Sequence, residues 1–196
     1  MWWEKTVEYK FVLEADRKYG LDFAAPLSGI EERGAGDGVF SGNSKLVLVE
    51  FKRSKEELDS DKTKFTNYDR AALALENRDA HHFLVYGAID GNGNDQELAL
   101  YAYTYFSRND TKALETLDKG VSPKVFNEYL EELISWKKVD GRSSGTVSPE
   151  SISSVVGVTP KGFSSISLSE YIRMELPRLY NSPAPTRRSS HVPGLG

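Results

Sequence analysis

The chain contains no cysteine, which excludes disulfide frameworks, thiolate zinc sites, iron–sulfur clusters and thiol catalysis. It has no apolar run near the roughly 20 residues that a membrane span needs. Mixed charge follows Met1-Trp2-Trp3-Glu4-Lys5, where a signal peptide would carry its apolar region. A cytoplasmic protein without membrane contact is the expectation. Positive charge is also short: 25 Lys and Arg stand against 29 Asp and Glu, a net charge of −4. No broad positive field would draw nucleic acid or anionic membrane towards it. No internal repeat is visible. What is present suits one globular domain: 196 residues, 39% of them hydrophobic, with 16 glycines. Such a chain can bury a core without staples.

Periodicity divides the chain into elements. Residues 2–19 read as an amphipathic helix ended by Gly20, with Trp3, Val7, Phe11 and Glu14 on one stripe. Short strands are expected at 27–32 and 38–40 in a Gly-rich stretch, and a nearly unbroken apolar strand at 45–53, as for an interior strand covered on both faces. A helix over 59–78 follows, with Phe65, Tyr68, Ala72 and Leu75 on one face. Strands at 82–89 and 98–106 are joined by the turn Asp90-Gly91-Asn92-Gly93-Asn94-Asp95. Ser122-Pro123 opens a helix running to about Val139. Residues 1–139 therefore form one α/β domain with a central mixed sheet flanked by helices. Residues 140–180 read as a Ser/Gly-rich connection, extending to about 167, and a short C-terminal helix packing on the core. Residues 181–196 read as a disordered tail; its only charges are Arg187 and Arg188, so the rest is still more acidic.

Four charged residues stand out. Glu50 and Lys52 are two apart on a strand and project from one face, continuing the row of Leu46 and Leu48. A charged pair in an apolar row is costly and rarely serves stability alone. Asp37 stands between Gly36 and Gly38, which allow a sharp turn and a close approach. Glu14 lies within the helix stripe. Carboxylates converging on one point call for a cation, and hard oxygen ligands without His or Cys indicate Mg²⁺ or Mn²⁺. A lysine beside such a metal can orient a water, help deprotonate it or stabilise charge on phosphate. These parts suit metal-assisted phosphodiester hydrolysis.

Gly36-Asp37-Gly38-Val39-Phe40 and Leu48-Val49-Glu50-Phe51-Lys52, with twelve residues between the two acids, resemble the PD-(D/E)XK nuclease superfamily. That resemblance implies a restriction-endonuclease-like α-β-β-β-α-β core, here with a hairpin extension and C-terminal helices. It assigns Mg²⁺ or Mn²⁺ binding to Asp37, Glu50 and the backbone carbonyl of Phe51, with Glu14 as the first-helix acid that many members add. It assigns water activation or phosphate contact to Lys52, so Asp37, Glu50 and Lys52 form the implied catalytic set. RecB-like members carry Gln-x-x-x-Tyr on the next helix. This chain has Lys64-Phe65-Thr66-Asn67-Tyr68 there, so Lys64 and Tyr68 become substrate-phosphate candidates sharing a helix face. Ala35-Gly36 precede Asp37, in place of the Pro of the family's name.

The expected activity is metal-dependent cleavage of nucleic acid, DNA in preference to RNA. With a net negative chain, a homodimer or a protein partner would supply the target-binding surface. The rival is a non-catalytic interaction subunit on the same fold within a larger nucleic-acid-processing or defence assembly. Plainer readings stand beside the sharp ones. Glu50 and Lys52 can be a cross-strand ion pair, and Glu14 can pair with Lys10 or Lys18. His81 and His82 read as surface or strand-edge residues pointing to opposite faces. Tyr101, Tyr103 and Tyr105 line one strand face, as packing under the 122–139 helix or as a stacking surface.

Overall fold

In a computed structural model the described residues are 2–24, 40, 43–92, 96–139, 142–143 and 153–179. The expected strands at 27–32 and 38–39, Asp37 and the 181–196 tail lie outside them.

Helix α1 (Glu4–Tyr19) buries Val7, Phe11 and Ala15, and Gly20 ends it. Before the helix, the Trp2 indole N–H donates to the Arg53 carbonyl at 2.7 Å. Trp3 is 75% exposed. Successive buried positions four apart drift round the helix, so Ala15 takes the core-facing place and Glu14 falls beside the stripe. Strand β1 (Leu21–Ala24) follows. Strand β2 (Lys45–Lys52) is buried at every position after Lys45, as its apolar run predicts.

The helix expected over 59–78 is broken. Two 3₁₀ segments, Lys55–Glu57 and Ser60–Lys64, precede helix α2 (Tyr68–Leu75). Phe65 is extended and bridges Lys137, and the Thr66 N–H donates to the Trp136 carbonyl at 2.9 Å. Asn67 then caps α2 by accepting from the Arg70 N–H. Lys64 and Tyr68 therefore do not share a helix face, contrary to the spacing argument.

Strand β3 (His82–Asp90) runs parallel to β2, with α2 in the crossover, and β4 (Glu97–Thr104) returns antiparallel to it. β5 (Asp110–Lys112) lies against β4. Helix α3 (Pro123–Trp136) has Ser122 at its N-cap and Pro in its first turn, as expected. The short pair β6 (Lys138–Val139) and β7 (Arg142–Ser143) stands apart from the main sheet.

The connection expected to reach about 167 is corrected by a hairpin, β8 (Ser153–Thr159) and β9 (Gly162–Ser167). β8 pairs antiparallel with β2, inside the sheet, and β9 pairs with β8 and with β1. Its serines and glycine are small because the space is small. A Cβ on Gly157 would stand 2.2 Å from a Phe40 ring carbon. Helix α4 (Leu168–Glu175) closes the described chain, followed by a 3₁₀ turn at Pro177–Leu179.

The result is an α/β fold with an open mixed sheet in the order β1-β9-β8-β2-β3-β4-β5. α1 covers the face carrying Val47, Val49, Phe51, Phe83 and Val85. The other face, carrying Leu46, Leu48 and Leu84, packs on residues of α2, α3 and α4. Gly87 of β3 lets α1 approach, since a Cβ there would meet Trp2 Nε1 at 2.8 Å. Among the described residues no helix is long and apolar enough to cross a membrane.

Candidate functional site

Period-2 alternation puts Glu50 and Lys52 on the α2/α3 face of β2, one step beyond the apolar row. They meet there: the Lys52 ammonium donates to Glu50 Oε1 at 2.8 Å. A third group closes on them. Asp61, from the 3₁₀ segment before Phe65, is ion-paired to Lys52 and to Lys64. The Lys64 ammonium is also 4.0 Å from Glu50 Oε1. Glu50, Lys52 and Asp61 are only 3%, 3% and 2% exposed, so the cluster is enclosed.

The electrostatics follow from that enclosure. Burial raises the Glu50 carboxyl, but the Asp61 carboxyl beside it and the Lys137 and Lys52 cations together hold it well below the usual range. Asp61 is pushed up, first by burial and then by the Glu50 carboxylate. Burial lowers the Lys52 amine, yet the Glu50 and Asp61 carboxylates outweigh it and hold the amine above its usual value. The cluster therefore holds an ionised Glu50 beside a firmly charged lysine. A lysine in that state stabilises negative charge; it does not take up a proton. Lys137, where α3 ends, lies over the rings of Phe65 and Tyr105 at 5.4 and 5.9 Å.

Glu14 does not join this group. It pairs with Lys10 at 2.7 Å, and it lies ten residues along α1 from Glu4, about 15 Å of helix rise. Glu4 is the α1 acid at the cluster's end. Burial raises its carboxyl, and its neighbouring charges are Lys52, Glu57, Glu50 and Asp61. Phe51 packs edge-on against Phe11 on the opposite face, with centroids 5.5 Å apart. Among the described residues β2 pairs with β8 only as far as Glu50 opposite Ser153; Phe51 and Lys52 pair with β3. Lys64 reaches the cluster, whereas Tyr68 packs against Phe65 and Phe106. Asp37 lies outside the described residues.

Asp61 is the residue of this cluster that the motif does not single out. Its signal was the extension of the 65–75 face one turn back: Leu58, Asp61 and Phe65 recur at i, i+3 and i+7 and all three are buried.

His81 and His82 correct a second expectation. Both are buried and both pack against Tyr129, at 4.7 and 5.7 Å between centroids. His81 precedes β3, so strict alternation does not separate the two rings. His82 also stacks on Tyr105 at 4.1 Å and shares a 2.8 Å hydrogen bond with the Tyr129 hydroxyl.

Among the described residues no group of three or more His, Asp or Glu side chains is arranged to hold a metal ion. Glu50 Oε2 is nevertheless buried with no hydrogen-bond donor against it. An ionised oxygen without a donor, beside a second carboxyl, is the donor set that a hard cation fits. In comparison with known proteins, no family model, curated protein or solved structure matches the chain.

Proposed function

We propose that the chain is a Mg²⁺- or Mn²⁺-dependent nuclease of PD-(D/E)XK type, with a restriction-endonuclease-like core, acting on DNA. One observation carries the reading: a buried Glu50–Lys52 pair, joined by Asp61, at the end of an interior strand that leads through α2 into its parallel neighbour. A pair buried this deeply costs several kcal/mol to desolvate, and a row of leucines would serve packing as well.

In this reading Glu50 would hold the metal, with Asp61, Asp37 and the Phe51 carbonyl as the further oxygen donors. Glu4, in place of Glu14, is the acid that α1 presents. The metal, when bound, supplies Lewis acidity and an activated water. Lys52 and Lys64 stabilise the extra negative charge on the reacting phosphate. Lys52 acts as a fixed cation, because its two carboxylate neighbours keep it protonated. With a net charge of −4, attraction to a polyanion is local, and a second copy or a partner widens the contact.

The test is cleavage of labelled single- and double-stranded DNA in Mg²⁺ or Mn²⁺ by wild type, Lys52→Ala and Asp37→Ala. Metal-dependent cleavage by wild type, reduced at least a hundredfold in both variants, is expected. Equal activity of wild type and either variant would remove that residue from the site.

One observation favours the rival, an interaction module on this fold. The cluster is enclosed, and Glu50 and Asp61 are matched by Lys52 and Lys64. Metal binding that depends on Glu50 separates the readings, since an interaction module has no use for it.

A further inference from the structure

Beside the Glu50–Lys52–Asp61 cluster the sheet carries a row of aromatic rings. Register sets Tyr86 of β3 opposite Lys52 of β2, and Tyr101 of β4 opposite Tyr86. The rings of Tyr101 and Tyr103 both lie nearly parallel to that of Tyr86, at 5.7 Å and 24° and at 5.9 Å and 12°. Exposure rises along the row, from 5% at Tyr86 to 38% at Tyr101. Of the three tyrosines alternating on β4 and just beyond it, only Tyr105 is wholly buried.

A cleft of about 390 Å³ opens at this row, lined by Lys55, Glu56, Leu58, Asp59, Tyr103 and Arg108. The Lys55 ammonium stands 5.8 Å from the centre of the Tyr103 ring. Arg108 is held in place: its Nη2 donates to the Leu58 carbonyl at 3.2 Å and to Asp59 at 3.0 Å. Its Nη1 is buried with no acceptor against it. Among the described residues Arg108 alone, glycines aside, has a positive φ, 56°, a conformation that residues with a Cβ rarely adopt. Asp59 is matched by Arg108 and Lys62, and the other lining acid, Glu56, stands beside Lys55, so with Lys62 the cations at the cleft outnumber its acids.

An occupant of this cleft needs a flat π-face for Tyr103 and an anionic oxygen for Lys55 and Arg108. A nucleotide has both, and the volume suits a small ligand. A double helix buries its base faces in the stack, so only an unpaired nucleotide offers one. We propose that the cleft seats one unpaired nucleotide, its base on Tyr103 and its phosphate at Lys55 and Arg108. The strand that continues to Lys52 is then single-stranded; this last step rests on the nuclease reading above.

The test is fluorescence anisotropy with a labelled twelve-nucleotide thymidine strand, its uridine counterpart and the matching duplex, without divalent metal so that nothing is cut. A single strand of one or both sugars should bind more tightly than the duplex. Tyr103→Leu, which keeps an apolar side chain under the cleft, should weaken that binding about tenfold, and Tyr103→Phe should not. Lys55→Gln, at an exposed position, should reduce the slope of log affinity against log salt by about 0.7. Equal affinity for strand and duplex would overturn the proposal. So would unchanged strand binding in a Tyr103→Leu protein that melts like wild type. Should Tyr103→Leu fail to fold, an unchanged salt slope in Lys55→Gln overturns it instead. Cleavage that needs Lys52 but ignores both cleft variants would overturn the cleft alone. Strand binding that needs both cleft residues, with no cleavage in any metal, would support the cleft and overturn the nuclease reading.

Discussion

Lys52 is held by two carboxylates inside the protein, and this decides what its removal does. Lys52→Met leaves Glu50 and Asp61 facing each other without their shared cation. Breaking a buried pair from one side costs about 3–5 kcal/mol. Urea unfolding of the variant is expected to show a loss of that size, and a loss below about 1 kcal/mol would mean that water reaches the pair. The histidines make a second residue-scale prediction. Burial, helped by Arg78, pushes His81 down to about 4. Burial and Lys137 drive His82 well below its ordinary value. Above pH 6.5 both rings are neutral in either state and stability is flat. Below 6.5 the unfolded chain takes up protons that the folded chain refuses until about pH 4 at His81. Stability is lost through that window, about 2 kcal/mol from His81 by pH 5. His81→Phe, which keeps a ring against Tyr129, should reduce the pH dependence of the urea midpoint and leave the part due to His82.

At the scale of elements, the sheet interior is set by small residues as much as by large ones. Gly157 lets β8 lie under Phe40, and Phe40 in turn packs on Tyr171 of α4 at 6.0 Å. Gly157→Ala should destabilise by about 1–3 kcal/mol through overpacking. Adding Phe40→Leu should recover part of that loss in a double-mutant cycle, and strict additivity would place the strain elsewhere. The same residues explain what the sequence hid. β2 is legible because an unbroken apolar run means burial on both faces, and α3 because Ser122-Pro123 marks its start. β8 and β9 are not legible, because Ser and Gly chosen for tight strand packing resemble loop composition. The 59–78 stretch has helical spacing, yet Phe65 is pulled into a bridge with Lys137, and that tertiary contact breaks the period. Glu50 and Lys52 could be placed together from alternation alone. Asp61 could not, because it reaches them through the broken stretch, and Glu14 was misplaced because the buried stripe runs Val7, Phe11, Ala15 and leaves Glu14 at its edge.

At the scale of the whole molecule, the parallel pair β2–β3 and the 3₁₀ segments bring the charged cluster and the tyrosine row to the same ends of neighbouring strands. The antiparallel hairpin β8–β9 closes the other side of β2. Ligands of open α/β sheets gather beyond the carboxyl ends of parallel strands, and Lys52, the last residue of β2, lies at that end. With a net charge of −4, attraction to a polyanion falls to local cations such as Lys55 and Lys64. The central claim is that Glu50 binds a divalent cation, and calorimetric titration with Mn²⁺ tests it most directly. Wild type should give a one-site isotherm, and Glu50→Gln, shown to unfold cooperatively, should give none. Equal Mn²⁺ affinity in the two proteins, or no binding by wild type, would contradict the account.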